Sequence, residues 1–96
     1  MRDKSRKLYD LLPHGSKNAI STYALSDTLG LGLYELKISI YDLILDGVLV
    51  AHSLNGYYIP TKEDYQNAWE FFQSIQAVDD DLHRAYRKLY FDFFGK

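Results

Sequence analysis

The fold is decided by residues 21–60, which read STYALSDTLGLGLYELKISIYDLILDGVLVAHSLNGYYIP. Ser21 belongs to the residue types that cap helices, so a helix is predicted over 22–29. Two glycines within 30–32 break this helix, and apolar periodicity then predicts a further helix over 33–46. The pattern therefore indicates two helices joined by a tight turn.

Two short strands are predicted after this pair of helices, over 48–53 and 57–60. Gly47 suits the left-handed backbone that commonly ends a helix. The dipeptide Asn55-Gly56 is typical of a tight hairpin turn, in which both residues take positive φ angles. We therefore expect a small β-hairpin directly after the helices.

Working outward, the flanks add helices on both sides. Toward the N-terminus, the pattern predicts a helix over 3–12, stopped by Pro13, and a brief extended stretch at 18–20. Toward the C-terminus, Thr61 and Asp64 resemble a capping box, after which helical periodicity continues almost to the last residue. The predicted fold class is mainly α with a small β-hairpin.

This order of elements resembles the winged helix-turn-helix family. The resemblance rests on 24–31, on the spacing of Leu36, Ile40 and Leu43, and on Gly47-Val48-Leu49. It covers roughly residues 5–60, and the wing is similar to that of small winged-helix proteins of phages and prophages from Gram-positive bacteria. We therefore expect a winged helix-turn-helix domain over 1–60 and a C-terminal helical dimerisation segment over 61–96.

The helix over 33–46 has two apolar faces at about 100° per residue. The predicted core face holds Leu33, Leu36, Ile40, Leu43 and Ile44. The opposite face holds Tyr34, Ile38, Tyr41 and Leu45. This second stripe admits three interpretations, namely packing inside the protein or a dimer, binding of another protein, or contact with DNA.

The resemblance implies a small dimeric regulator that binds duplex DNA. The groove contacts would then be Tyr34, Lys37, Ile38 and Tyr41, and the phosphate contacts would be Asn55, Arg6 and Lys17. Charge argues against strong binding, because residues 21–60 carry one basic and four acidic side chains. The alternative is a winged helix that binds protein, as an adaptor or inhibitor, through the aromatic stripe.

Apolar residues recur at spacings of three and four along the C-terminal segment. The expected dimerisation residues are Tyr65, Phe72, Ile75, Leu82, Tyr86, Leu89 and Phe93. One helix over 62–94 would reach roughly 50 Å, too long for residues 1–60 to cover, which predicts a homodimer. In the alternative interpretation, Asp79 caps a new helix and the segment folds into a hairpin.

Composition excludes several classes of protein. The 96 residues are 47% hydrophobic with a net charge of -2, which is typical of a folded domain rather than a disordered chain. The absence of cysteine excludes disulfides and thiolate chemistry and predicts a cytoplasmic protein. No apolar run approaches a membrane span of about 20 residues, and the sequence shows no metal-ligand spacing or phosphate loop. We therefore expect neither a cofactor nor enzymatic activity.

Overall fold

The computed structural model describes residues 3–75 and 79–95, apart from the side chain of Lys4. The helices are α1 (Asp3–Leu11), α2 (Thr22–Leu29), α3 (Leu33–Leu45), α4 (Tyr65–Ile75) and α5 (Asp80–Phe94), with short 3-10 helices at Ser16–Asn18 and Lys62–Asp64. The strands are β1 (Ala51–Ser53) and β2 (Gly56–Tyr58). This mainly helical architecture with one small hairpin confirms the predicted fold class.

The two central helices begin and end close to their predicted limits. The Ser21 hydroxyl oxygen accepts the Ala24 amide at 3.1 Å, which caps the first turn of α2. Gly30 ends the helix with a φ of 66° in the left-handed region. The Ser26 hydroxyl donates to the Leu31 carbonyl across the turn. These local bonds set the turn that leads into α3.

The hairpin differs in detail from its prediction. β1 and β2 pair antiparallel with Ser53 opposite Gly56, so the loop residues are Leu54 and Asn55. Gly56 has a φ of 124°, whereas Asn55 does not adopt a positive φ, and the predicted Asn-Gly turn is therefore wrong. Gly56 instead lies within β2, where the backbone of a neighbouring segment passes so close that a Cβ has no room.

That neighbouring segment contains Ile20, which forms an isolated antiparallel bridge with Tyr57 beside the hairpin. Its amide donates to the Tyr57 carbonyl at 3.0 Å, and the Tyr57 amide donates back at 2.9 Å. The extended stretch predicted at 18–20 is therefore limited to the residues after Asn18, because Ser16–Asn18 forms a 3-10 helix. This bridge attaches the stretch before α2 to the two-stranded hairpin.

The core contains residues from α1 through α5. On α3, four of the five expected residues are fully buried, namely Leu36, Ile40, Leu43 and Ile44. The fifth, Leu33, is 47% exposed, which corrects its assignment to the core. Leu33 is the first residue of α3, one turn before the first residue that the neighbouring elements cover.

The C-terminal segment forms two helices rather than one, so the predicted long continuous helix is wrong. The Asp79 carboxylate accepts the Leu82 amide at 3.0 Å and caps the start of α5. The protein's longest dimension is 35 Å, well short of the roughly 50 Å that a single helix would need. α4 and α5 pack against each other, and α5 also contacts α3. The alternative interpretation, a capped hairpin, is confirmed.

The expected dimerisation residues largely pack inside one chain. Four of them are at most 5% exposed, namely Phe72, Ile75, Leu82 and Tyr86. Leu89 and Phe93 are half-buried, and the Lys62 ammonium lies 4.2 Å from the centre of the Phe93 ring. Only Tyr65 is largely exposed, at 57%. The prediction that a second subunit must cover these residues is therefore wrong. The homodimer itself stays a prediction.

A buried carboxylate joins α4 to the first half of the chain. The Thr61 amide donates to Asp64 Oδ2 at 2.8 Å, which confirms the predicted capping interaction. Burial alone would raise the pKa of Asp64, but hydrogen bonds from Thr61 and Ser16 outweigh burial and lower that pKa. The carboxylate therefore stays charged and holds the entry to α4 against Ser16.

The cap at Asp79 gives a direct test of the break between α4 and α5. Replacing Asp79 by leucine is expected to lower the free energy of unfolding by about 1 kcal/mol, because the Leu82 amide loses its acceptor. Asp79→Asn keeps an acceptor and should stay close to wild type. Thermal unfolding followed by circular dichroism measures both variants. A higher melting temperature for Asp79→Leu would instead support a continuous helix.

Candidate functional site

The core fixes how α3 is rotated about its axis. Because Leu36, Ile40 and Leu43 are fully buried, the opposite side of the helix must face outward. The helix start is held by the Glu35 carboxylate, which accepts the Gly32 amide at 3.3 Å. The packing of the buried side chains thus sets which side of α3 faces solvent.

We call the outward stripe, Tyr34, Ile38, Tyr41 and Leu45, the α3 outer face. At 100° per residue these side chains fall within an arc of roughly 60°. Tyr34 is 76% exposed, Ile38 40% and Leu45 50%, whereas Tyr41 is half-buried against the core. The interpretation that the stripe packs inside the protein is therefore wrong for three of the four residues. Tyr41 is the one member of the stripe that packs against the core.

The charges beside the α3 outer face have mixed sign. Glu35 and Asp42 lie on one side of the stripe by helical geometry, and Lys37 lies on the other. Lys37 is exposed, as the DNA-binding interpretation requires. An acidic flank opposes a phosphate backbone, so the face neutralises little of the charge on a duplex.

The other predicted phosphate contacts lie on separate elements. Arg6 is exposed on α1. Lys17 and Asn55 line a common cleft of about 600 Å³ between the first 3-10 helix, the hairpin loop and α4, together with His52 and Glu70. The structure thus brings Lys17 and Asn55 together but not Arg6, and the same cleft holds the Glu70 carboxylate.

His52 is a poor candidate for contact with phosphate. Its ring centre lies 4.5 Å from that of Tyr57, and this partial burial lowers the pKa of the imidazole. A lower pKa favours the neutral ring near pH 7. His52 therefore packs within the hairpin as a neutral ring and contributes little positive charge.

The two most exposed large apolar side chains that the structure describes outside the predicted site residues are Leu54 and Tyr23. Leu54 is fully exposed at the tip of the hairpin, and Tyr23 on α2 is 73% exposed. Sequence signals for both existed, because Leu54 precedes a turn residue and Tyr23 lies off the inward face of α2. An apolar hairpin tip offers no contact to phosphate.

Among the described residues, none of the helices reaches the length and hydrophobicity of a membrane-spanning segment. In the same part of the chain, no three acidic or histidine side chains cluster as metal ligands. Comparison with protein-family models, curated proteins and solved structures finds no match. The residues themselves therefore carry the functional argument.

Proposed function

We propose that this chain is a winged-helix protein that binds another protein, as an adaptor or inhibitor, through the α3 outer face. The observation that carries the proposal is the exposure of Tyr34, Ile38 and Leu45 on one rigid helix face. Apolar stripes of this kind mark partner surfaces, and tyrosine is enriched at the centres of protein interfaces. A cytoplasmic location is part of the same proposal and fits a chain without cysteine.

The charge distribution supports a protein partner over nucleic acid. In DNA-binding winged helices the corresponding helix enters the major groove, where phosphate contacts supply much of the affinity. Here Lys37 is the one basic residue on α3, beside Glu35 and Asp42. A protein partner needs no such neutralisation and gains from covering the exposed apolar side chains.

Duplex DNA is the second candidate, favoured by the order of elements and by the exposure of Lys37, Arg6 and Lys17. In this version Tyr34 and Tyr41 donate hydrogen bonds to phosphates, and Ile38 contacts a thymine methyl group. The protein would act as a dimeric regulator, which is the function that the family resemblance implies.

The two functions make opposite predictions for the same variants. With a protein partner, Tyr34→Ala should weaken binding by about 2 kcal/mol, roughly thirtyfold, whereas Lys37→Ala changes it little. Tyr65→Ala is the matched control, because Tyr65 is another exposed tyrosine but lies on α4. A photoreactive residue at position 38 identifies the partner by crosslinking in cells, and titration of the purified partner then gives the affinities.

Fluorescence anisotropy with a random duplex tests the second candidate. Under the first proposal no binding is expected at ~50 mM salt, where phosphate contacts are strong. Saturable duplex binding that Lys37→Ala and Arg6→Ala both weaken, with a flatter salt dependence, would overturn the protein-binding proposal. Unfolding of Tyr34→Ala would also contradict it, because an exposed stripe should not be needed for folding.

A further inference from the structure

A cleft of about 240 Å³ opens between α4 and α5. It is lined by Trp69, Phe72, Gln73, His83, Arg87 and Phe91. On α5 the three lining residues recur every four positions, so they form one stripe along the helix. The break at Asp79 creates this cleft, because it folds two amphipathic helices side by side.

The walls of the cleft are aromatic. Phe72 is 5% exposed, and the His83 ring stacks on it with centres 4.7 Å apart. Trp69 meets Phe72 edge-on at 5.4 Å and Phe91 at 6.4 Å. Trp69 is still 36% exposed and Phe91 49%, so large ring surfaces in this cleft face solvent.

Arg87 lines the same cleft as these rings. Within residues 3–75 and 79–95, Arg87 makes no ion pair, whereas Arg84 lies 3.9 Å from Asp81 one turn earlier on the same helix. A guanidinium presents a planar set of donors that matches a carboxylate with two parallel hydrogen bonds. Uncovered rings beside an unpaired guanidinium are complementary to a flat anion.

We infer that this cleft binds a small aromatic carboxylate, with the ring against Trp69 and Phe91 and the carboxylate on Arg87. Pockets for drug-sized ligands measure roughly 300–1,000 Å³, so a cleft of about 240 Å³ admits one ring or a fused pair. Offset and edge-on contacts between rings select for aromaticity, and the charge-assisted bonds select for the anion.

Trp69 provides the readout, because it is the single tryptophan of the chain. The full-length protein is titrated with phenylacetate, with the neutral phenylacetamide and with the non-aromatic cyclohexylacetate, following tryptophan fluorescence. We expect saturable binding of phenylacetate and at least about tenfold weaker binding of both analogues. The NMR signal of the indole N–H should shift along the same binding curve.

Two arginine variants distinguish binding in the cleft from binding to the surrounding surface. Arg87→Gln should weaken phenylacetate binding about tenfold and abolish the preference for the acid over the amide. Arg84→Gln, four-fifths exposed and outside the cleft, is the matched control and should bind like wild type. Phe91→Leu should weaken binding while the fold is retained, since Phe91 is half exposed.

The same ligand chemistry occurs at a peptide C-terminus that ends in phenylalanine. A short peptide of this kind, compared with its C-terminal amide, distinguishes a chain end from a free acid. Tighter binding of the free-carboxylate peptide than of phenylacetate assigns the site to a chain end, and the reverse assigns it to a metabolite. No saturable change, equal affinity for acid and amide, or equal effects of the two arginine variants would overturn the inference.

Discussion

Replacing Gly56 by alanine is expected to lower the free energy of unfolding by more than about 4 kcal/mol, one of the largest single-residue losses in this chain. Gly56 has a φ of 124°, a conformation that L-residues rarely adopt. An added methyl group would overlap the Ile20 carbonyl oxygen and lie 2.8 Å from the Ser21 Cα. Both are backbone atoms of the segment that leads into α2, so relief requires that segment to move.

The movement would break the two hydrogen bonds between Ile20 and Tyr57, and with them the bridge between this segment and the hairpin. Gly47→Ala is the matched control, because Gly47 has a φ of 102° but nothing within 4 Å of the added methyl group. That variant should lose only about 1–2 kcal/mol. Urea unfolding measures both, and equal losses would show that backbone conformation alone, rather than the close approach to Ile20, makes Gly56 necessary.

Replacing Tyr86 by alanine is expected to cost about 3–5 kcal/mol, a large share of the stability of a domain this size. Tyr86 is fully buried, and its ring lies 5.5 Å from Phe72 and 5.6 Å from Phe71. Its hydroxyl donates to the Val50 carbonyl at 2.7 Å, with the Ala68 carbonyl at 3.4 Å. One side chain thus links α5 both to α4 and to the residue that precedes β1.

Tyr86→Phe separates the two contributions, because it keeps the ring and removes only the donor. We expect a loss of about 1–2 kcal/mol, from the Val50 carbonyl left without this bond. Tyr34→Ala removes an equally large side chain from an exposed site and should change stability by less than about 0.5 kcal/mol. A near-neutral Tyr86→Ala would contradict the packing of α5 described above.

The hydroxyl also predicts a pH dependence. Burial raises the pKa of Tyr86 above its ordinary value, so the folded state favours the protonated phenol. Stability from this group is therefore complete below the ordinary tyrosine pKa of about 10 and is lost as pH rises above it. Tyr86→Phe should lose stability less steeply than wild type in alkaline solution, as measured by urea midpoints across that range.

Part of the candidate site was accessible from the sequence. The apolar spacing of α3 predicted a buried face with Leu36 and Ile40 and an opposite stripe with Tyr34 and Ile38, because helical period alone separates the two faces. The sequence did not show whether other elements cover the α3 outer face. Exposure depends on which elements pack on α3, and α5 contacts this helix without covering Tyr34.

The cleft beside Arg87 could not be found from the sequence. Its two walls come from α4 and α5, and they meet only because the chain folds back at Asp79. Neither Trp69 nor Phe91 is among the residues that the apolar spacing predicted for dimerisation. Folding back brings their ring centres within 6.4 Å of each other in one cleft of a single chain.

The sequence by itself determined the local structure: the cap at Ser21, the end of α2 at Gly30, the buried face of α3 and the capping bond of Thr61 with Asp64. These features depend on neighbours within a few residues, where residue type and period suffice. Only the tertiary structure decided that the C-terminal segment forms α4 and α5 instead of one helix. The same apolar spacing suits both a long helix paired with a second subunit and two shorter helices that pack on each other. The tertiary structure also decided the approach of Ile20 to Gly56, since no local pattern encodes a contact between segments 36 residues apart.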